Sequence, residues 1–416
     1  MSIQQNFPAI SPSLNLNFAR SKTLDPRITF SRTSTATRVN EQGLVEVVSA
    51  DIPRFDHKYE NGVIKSLGLL VEEQRSNLTK YSNTLQSPFN PVNGTITTNQ
   101  TTSPSGENNA SLLTQTAAST CYVNYGSGQI TWTSGQQYTF SCFVKKYSDS
   151  DENQIYILGY NLTFNSDPSG ANSVVIFNLD TLTSTTASGL VNSHSIDDVG
   201  NGWRRISATF TAYTTHSRDH QVLRFVDPGA TSNMYVWGYQ IEEGAFPTSY
   251  IPRPDTSTAT RNPDNVSMTG DNFSDWYNQS EGTVFASFRA QAQPSATKYL
   301  MGISNNSSGE LIYIRATASG SDSAMRDGGS DVAYKPIAYS RDINTLSKHC
   351  VSYKQNDFIV SAQGQISTVD DNCTVPTPTN ISIGSLYNTT HLGGTISQLT
   401  YYPTRLTNTQ LQTLTK

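Results

Sequence analysis

The feature that most constrains this chain is a series of short runs in which apolar and polar residues alternate, each cut off by Gly, Asn, Asp or Ser. Residues 281–289 (EGTVFASFR) set Val284, Ala286 and Phe288 against Phe285, Ser287 and Arg289. Residues 138–145 (YTFSCFVK) place Tyr138, Phe140, Cys142 and Val144 on one face. A period of two is that of a strand, because successive side chains point to opposite faces of a pleated sheet. Similar runs recur across residues 154–241 and 300–402, so the expectation is an all-β chain of antiparallel sandwiches. Composition agrees. Only 35% of residues are hydrophobic and 15% charged, and the Thr, Asn, Ser and Gly that fill the balance suit strands and turns.

A second feature is a repeat. Thr-Ser-Thr-Ala-Thr-Arg occurs at 33–38 and again at 256–261. Ile-Pro-Arg-X-Asp stands near each copy, at 52–56 and 251–255, and a Glu-Glu pair ends an apolar run at Glu72–Glu73 and at Glu242–Glu243. In an alternating strand one glutamate of each pair points inward, where it needs a cation or backbone donors. Arg38, Arg75, Arg253 and Arg261 are the partners at hand. We therefore expect interdomain ion pairs among Arg38, Glu72, Glu73, Arg75, Glu242, Glu243 and Arg261, with the two repeats as boundary strands.

Several function classes lack their signatures. Net charge is −5 with no basic block, so nucleic acid is not an expected partner. No apolar run approaches membrane-spanning length. The start, MSIQQNFPAISPS, has no basic head before an apolar run, so synthesis in a cytoplasm without a secretory signal is expected. The six histidines have no accompanying Gly-X-Ser-X-Gly elbow, and no His/Cys cluster has zinc spacing. The acidic clusters Asp149/Asp151/Glu152, Asp197/Asp198 and Asp370/Asp371 read as turns. They leave room for glycoside hydrolysis or a structural calcium ion, but supply no motif for either. Cys121 and Cys142 fall in one module and Cys350 and Cys373 in another, either as buried thiols or as one disulfide per module.

Three stretches carry a resemblance. FSRTSTATRVNEQGLVEV, IPRFD and SLGLLVEEQRSNLTKYSN, within residues 24–83, resemble a segment common in tail and head-appendage proteins of tailed bacteriophages. NGWRR at 201–205 and VWGYQIEEG at 236–244 resemble the late strands of the carbohydrate-binding-like jelly roll that follows this segment in such proteins. GTISQLTYYPTRLTNTQLQTLTK, at the end, resembles the last strand and terminal helix of laminin-G or concanavalin-like sandwiches. Thr407 is suited to cap that helix, and Leu406, Leu411 and Leu414 to bury it.

The resemblance implies a virion protein built as an N-terminal arm and β segment (1–76), a jelly roll (77–252), a Pro/Thr-rich connector (253–275) and a laminin-G-like sandwich (276–416). It implies other virion proteins as partners, a homo-oligomer with a trimer favoured, and no catalytic residues or cofactor. The expected role is an external fibre or adhesin touching host surface polysaccharide. A capsid or tail cement protein and a polysaccharide depolymerase are the alternatives. Glycan contact needs aromatic faces flanked by polar side chains. Tyr122, Trp132, Tyr147 and Tyr160 in the middle module and Tyr334 and Tyr339 in the last are the candidates, with residues 325–339 read as a polar loop.

Overall fold

The structure, a computed structural model, describes residues 7–126, 128–148, 152–159, 172–217, 220–226, 232–291, 297–340 and 345–416. The fold is all-β. Among these residues the helices are Phe18–Ser21, Asp271–Ser274 and Asn408–Thr415, all short. The last is capped as its sequence suggests: Thr407 and Gln410 form a reciprocal capping box, and Leu406 and Leu411 are buried beneath it.

The middle of the chain forms one sandwich. Its first sheet runs in the order Ser193–Gly200, Trp203–Thr211, Gln137–Lys146, Asn233–Glu243, Ala110–Gln115, Gly94–Thr101. Its second runs Thr183–Ser188, Ser173–Asn178, Gln154–Gly159, His220–Phe225, Tyr122–Tyr125, Phe89–Val92. The face that holds Tyr138, Phe140, Cys142 and Val144 closes the core against Val123, Ile155, Ile157 and Leu223. All four cysteines are buried free thiols.

The other sandwich departs from the linear module order. One of its sheets runs Gln365–Ile366, Asp357–Ala362, Ser347–Lys354, Glu281–Ala290, Gly394–Tyr402, Val63–Val71, Phe55–Glu60, with Leu14–Leu16 also paired to Gly394–Tyr402. The facing sheet runs Thr29–Ser31, Asn265–Thr269, Asn380–Ile383, Lys298–Ser304, Leu311–Thr317, Gly320–Asp327, Ser330–Ala338. Residues 1–76 are therefore no separate segment. Leu69 sits opposite Ile396, Leu14 opposite Tyr401 and Phe30 opposite Val266, and Leu16, Phe55, Leu69 and Val71 share one core with Val284, Ile303 and Val351. The physical reason is edge satisfaction. A strand such as Val63–Val71 carries a row of backbone donors and acceptors that must be paired; Phe55–Glu60 meets one of its edges, and Gly394–Tyr402, from the far end of the chain, meets the other.

The middle sandwich is thus an insertion within the other one. The chain leaves through Arg75–Asn77 and returns through Ala259–Arg261, and these two strands pair as a ribbon with Arg75 opposite Arg261. The expected connector 253–275 is instead structured, holding the return strand, Asn265–Thr269 and the helix Asp271–Ser274. The two Thr-Ser-Thr-Ala-Thr-Arg copies have different fates. The first runs into Ala36–Val39, which forms a hairpin with Val45–Val48. The second becomes the return strand.

Candidate functional site

Two side-chain assemblies stand out: a buried ionic cluster at the neck between the sandwiches, and a tyrosine-lined groove on the outer sandwich.

The neck cluster is drawn from five segments that all pass this point. Arg32, Arg54, Glu72, Glu242, Arg261 and Asp264 are each 0–1% exposed, three guanidiniums with three carboxylates. Glu72, at the end of Val63–Val71, meets Arg54 Nη1 at 2.8 Å and Arg261 Nη1 at 3.3 Å, and accepts from Ser249 N and Oγ at 2.7 Å each. Asp264 bridges Arg32 at 3.0 Å and Arg54, and accepts from Glu72 N at 2.9 Å. Arg54 also donates to Thr37 O at 2.9 Å, and Arg32 to Ser49 O and Ile52 O. Glu242 accepts from Thr248 N at 3.0 Å and from the Thr248 hydroxyl.

Burial alone would raise the Glu72 pKa, but Arg261, Arg54 and Ser249 outweigh it and hold the carboxylate down at about 2. Burial would likewise lower Arg54, yet Asp264 and Glu72 carry it above its ordinary value. Arg32, Arg54, Arg261, Glu72 and Asp264 are ion-paired with one another, and Thr248 links Glu242 to Arg261, so the cluster ties the inserted sandwich to its host where the chain crosses between them.

The remaining residues expected to form ion pairs lie outside this cluster. Glu73 is ion-paired with Arg75 and Lys298 beside the neck. Arg75 also donates to the Glu243 carbonyl, so Glu243 enters through its backbone and its side chain points to solvent. Arg38 pairs with Glu46 across its own hairpin at 3.1 Å, a partly exposed local contact and no interdomain bond. Arg32, Arg54 and Asp264 escaped the sequence reading. Arg54 could have been found, since it holds the place in the first Ile-Pro-Arg-X-Asp that Arg253 holds in the second. Arg253 donates to Asn77 O and Leu78 O at the same neck.

The groove lies on the seven-stranded sheet. On Leu311–Thr317 the even positions Ile312, Ile314 and Ala316 enter the core, so Leu311, Tyr313 and Arg315 face outward. Register then sets Arg315 opposite Asp322 and Tyr313 opposite Ala324, which faces Tyr334. Residues 325–339 are no loop. They complete Gly320–Asp327 and form Ser330–Ala338, joined through Gly328 and Gly329 at φ 56° and 85°. Positive φ at two successive turn residues suits the two-residue hairpin and favours glycine at both.

Tyr299, Tyr313, Tyr334 and Tyr387 line an open groove of about 520 Å³ with Leu311, Leu386, Arg315, Arg326 and Asp331. Tyr299 and Tyr313 meet edge to face at 5.4 Å, and the Arg315 guanidinium stands 5.0 Å from the Tyr313 ring centre. Asp322, 2% exposed, accepts from Arg315 Nε and, at 2.9 Å, from Tyr334 Oη. Arg326 pairs with Asp331 at 2.9 Å on the groove's rim. Gly302 lets Leu386 pack close against Lys298–Ser304, since a Cβ there would stand 2.5 Å from Leu386 Cδ1.

The other candidate aromatics do not gather here. Trp132 is 1% exposed, edge-on to Tyr138 at 5.0 Å and stacked on Phe140 at 5.8 Å. It is a core side chain with no face open to a sugar. Tyr122 lies on one sheet of the middle sandwich, opposite Arg224. Tyr147 follows a strand of the other sheet, 49% exposed, and pairs with Tyr235 at 5.5 Å. Tyr339 packs against the core of the outer sandwich. Tyr160, Asp149 and Asp151 lie outside the described residues. Among the described residues no group of three or more His, Cys, Asp or Glu is placed to hold a metal ion.

No protein-family model matches this chain, and no curated protein does. Solved structures give partial likenesses. The Ruminococcus gnavus IT-sialidase CBM40 bound to α2,6-sialyllactose is 16% identical, covering 33% of this chain and 85% of its own, with a TM-score of 0.30. Domain 4 of AbnA, a GH43 extracellular arabinanase from Geobacillus stearothermophilus in complex with arabinotriose, is 11% identical over 42% of this chain and 82% of its own, with a TM-score of 0.30. Trypanosoma rangeli sialidase is 12% identical over 73% of this chain and 60% of its own, with a TM-score of 0.28. Scores at this level leave the chain's own side chains to carry a functional reading.

Proposed function

We propose that this chain is a non-enzymatic glycan-binding protein of an external appendage of a tailed-phage virion. The observation that carries glycan binding is the groove over Leu311–Thr317. It combines tyrosine rings for the apolar faces of sugars with fixed guanidinium, hydroxyl and carboxylate groups for their hydroxyls. The phage setting is supported by the resemblance of residues 24–83. A non-catalytic role is supported by the groove's carboxylates, since Asp322 and Asp331 are each tied to an arginine and a glycosidase pair needs one acid free to donate. An open groove of this kind binds weakly as a single copy, so useful adhesion would come from several copies on one particle.

The test is a glycan array probed with the full chain and with Tyr334→Ala, followed by immunogold labelling of intact virions. Wild-type signal that falls about tenfold or more in the variant is expected, because stacking and hydrogen-bonding aromatics dominate such sites. A blank array from protein that still coats capsids would transfer the chain to the cement class. Release of reducing ends from host polysaccharide would make it an enzyme.

A further inference from the structure

We propose that the groove selects neutral oligosaccharides and rejects acidic ones; this deepens, and rests on, the reading of the groove as a glycan site.

The inference comes from the charges on the groove face. The register places Arg315 directly opposite Asp322, and the ladder near its end brings Arg326 against Asp331. Each arginine is ion-paired through Nε with its own carboxylate. Two cations and two anions leave the face without net charge. Arg315 is held further by the Tyr313 ring beneath it, and Asp322 by the Tyr334 hydroxyl. The Asp322 pair is therefore a three-sided, largely buried unit that an incoming carboxylate would have to break.

One further carboxylate tips the balance negative. Glu310, next to Leu311, accepts from Gly328 N at 3.1 Å and from Thr377 N at 2.7 Å. A ligand carboxylate or sulfate entering past these carboxylates meets like charge first, and each guanidinium it would pair with is already neutralised by a carboxylate of its own. A neutral sugar meets neither obstacle. Its apolar face can lie on Tyr299 or Tyr387, and its hydroxyls can use the remaining guanidinium N–H groups and the outer lone pairs of Asp331.

The experiment is titration calorimetry on the full chain at low ionic strength, using the strongest neutral oligosaccharide from the array and its sialylated or uronate-bearing counterpart. Wild type is expected to bind the acidic member at least about tenfold more weakly. Asp331→Asn is an exposed change that leaves Arg326 without its carboxylate. It should narrow that gap by about tenfold, read as the ratio of acidic to neutral affinity so that any change in neutral binding cancels. Wild type that binds the acidic member equally well or better overturns the selection. So does a gap that Asp331→Asn leaves untouched. Binding of neither class by folded protein overturns the glycan-site reading itself, which is a separate result.

Discussion

Glu72→Gln is the sharpest probe of the neck. The substitution keeps shape and removes one of three buried carboxylates, leaving Arg54 and Arg261 sharing a neutral amide. The carboxylate is held at about 2 against an ordinary 4.5. At 1.36 kcal/mol per unit, that difference is worth about 3 kcal/mol at pH 7. An independent rule agrees: removing one partner of a buried pair costs about 3–5 kcal/mol because a charge is stranded. The sign follows from linkage. The folded pKa is depressed, so the contribution is complete above about 4.5 and is lost as pH falls through 2; by pH 3 only about 1.4 kcal/mol of it is left. Urea unfolding of both proteins at pH 7 and pH 3 reads this directly. The variant should be less stable by about 3 kcal/mol at pH 7 and by less than half of that at pH 3. A variant as stable as wild type at pH 7, or a deficit that does not shrink on acidification, would refute the account of the neck.

Three further outcomes are expected. Protease nicking within residues 253–258 should not release residues 276–416 as a separate piece, because Gly394–Tyr402 pairs with Leu14–Leu16 and Val63–Val71; size-exclusion chromatography should show one particle until denaturant is added. His349, fully buried between the Ser321 and Ser323 hydroxyls, has its pKa lowered by burial to about 3. Its neutral form stabilises the fold above pH 6.5, and about 3 kcal/mol of this should be lost by pH 4; His349→Gln should lack that component of the acid transition when melting is followed against pH. Gly68→Ala should cost about 3 kcal/mol or more in thermal melts, since φ is +101° and the added Cβ would stand 2.1 Å from Ile396 O.

What the sequence made legible was face, and what it hid was partnership. Alternation in 281–289 and 138–145 gave correct inward residues because a period of two is a local property. Nothing local says that Leu69 will lie opposite Ile396, so the insertion stayed invisible and residues 1–76 looked separate. The groove was half legible. Tyr334 stands out, but 325–339 reads as a loop because its two glycines and scattered charges resemble one. Arg315, Asp322 and Arg326, the charged residues that make the face polar, carry no motif. Trp132 misled for the opposite reason. It stands in a single β-bridge to His216 and not in a long strand, so no alternation announced that its ring points into the core.

The inserted arrangement sets an order of events during synthesis. Leu14–Leu16, Thr29–Ser31 and Val63–Val71 emerge first, yet their partners Gly394–Tyr402 and Asn265–Thr269 come only after the whole inserted sandwich has been made. Until then these early strands have open edges, which is the condition under which chains cross-pair with neighbours. The inserted sandwich draws its own core from residues made in that interval. Once it has formed, the ribbon of Arg75–Asn77 and Ala259–Arg261 brings the two cut ends of its host together and removes most of the loop-closure cost of joining strands so distant in sequence. The neck that fixes the finished molecule's shape would also serve, earlier, as the clasp that lets the host sandwich close.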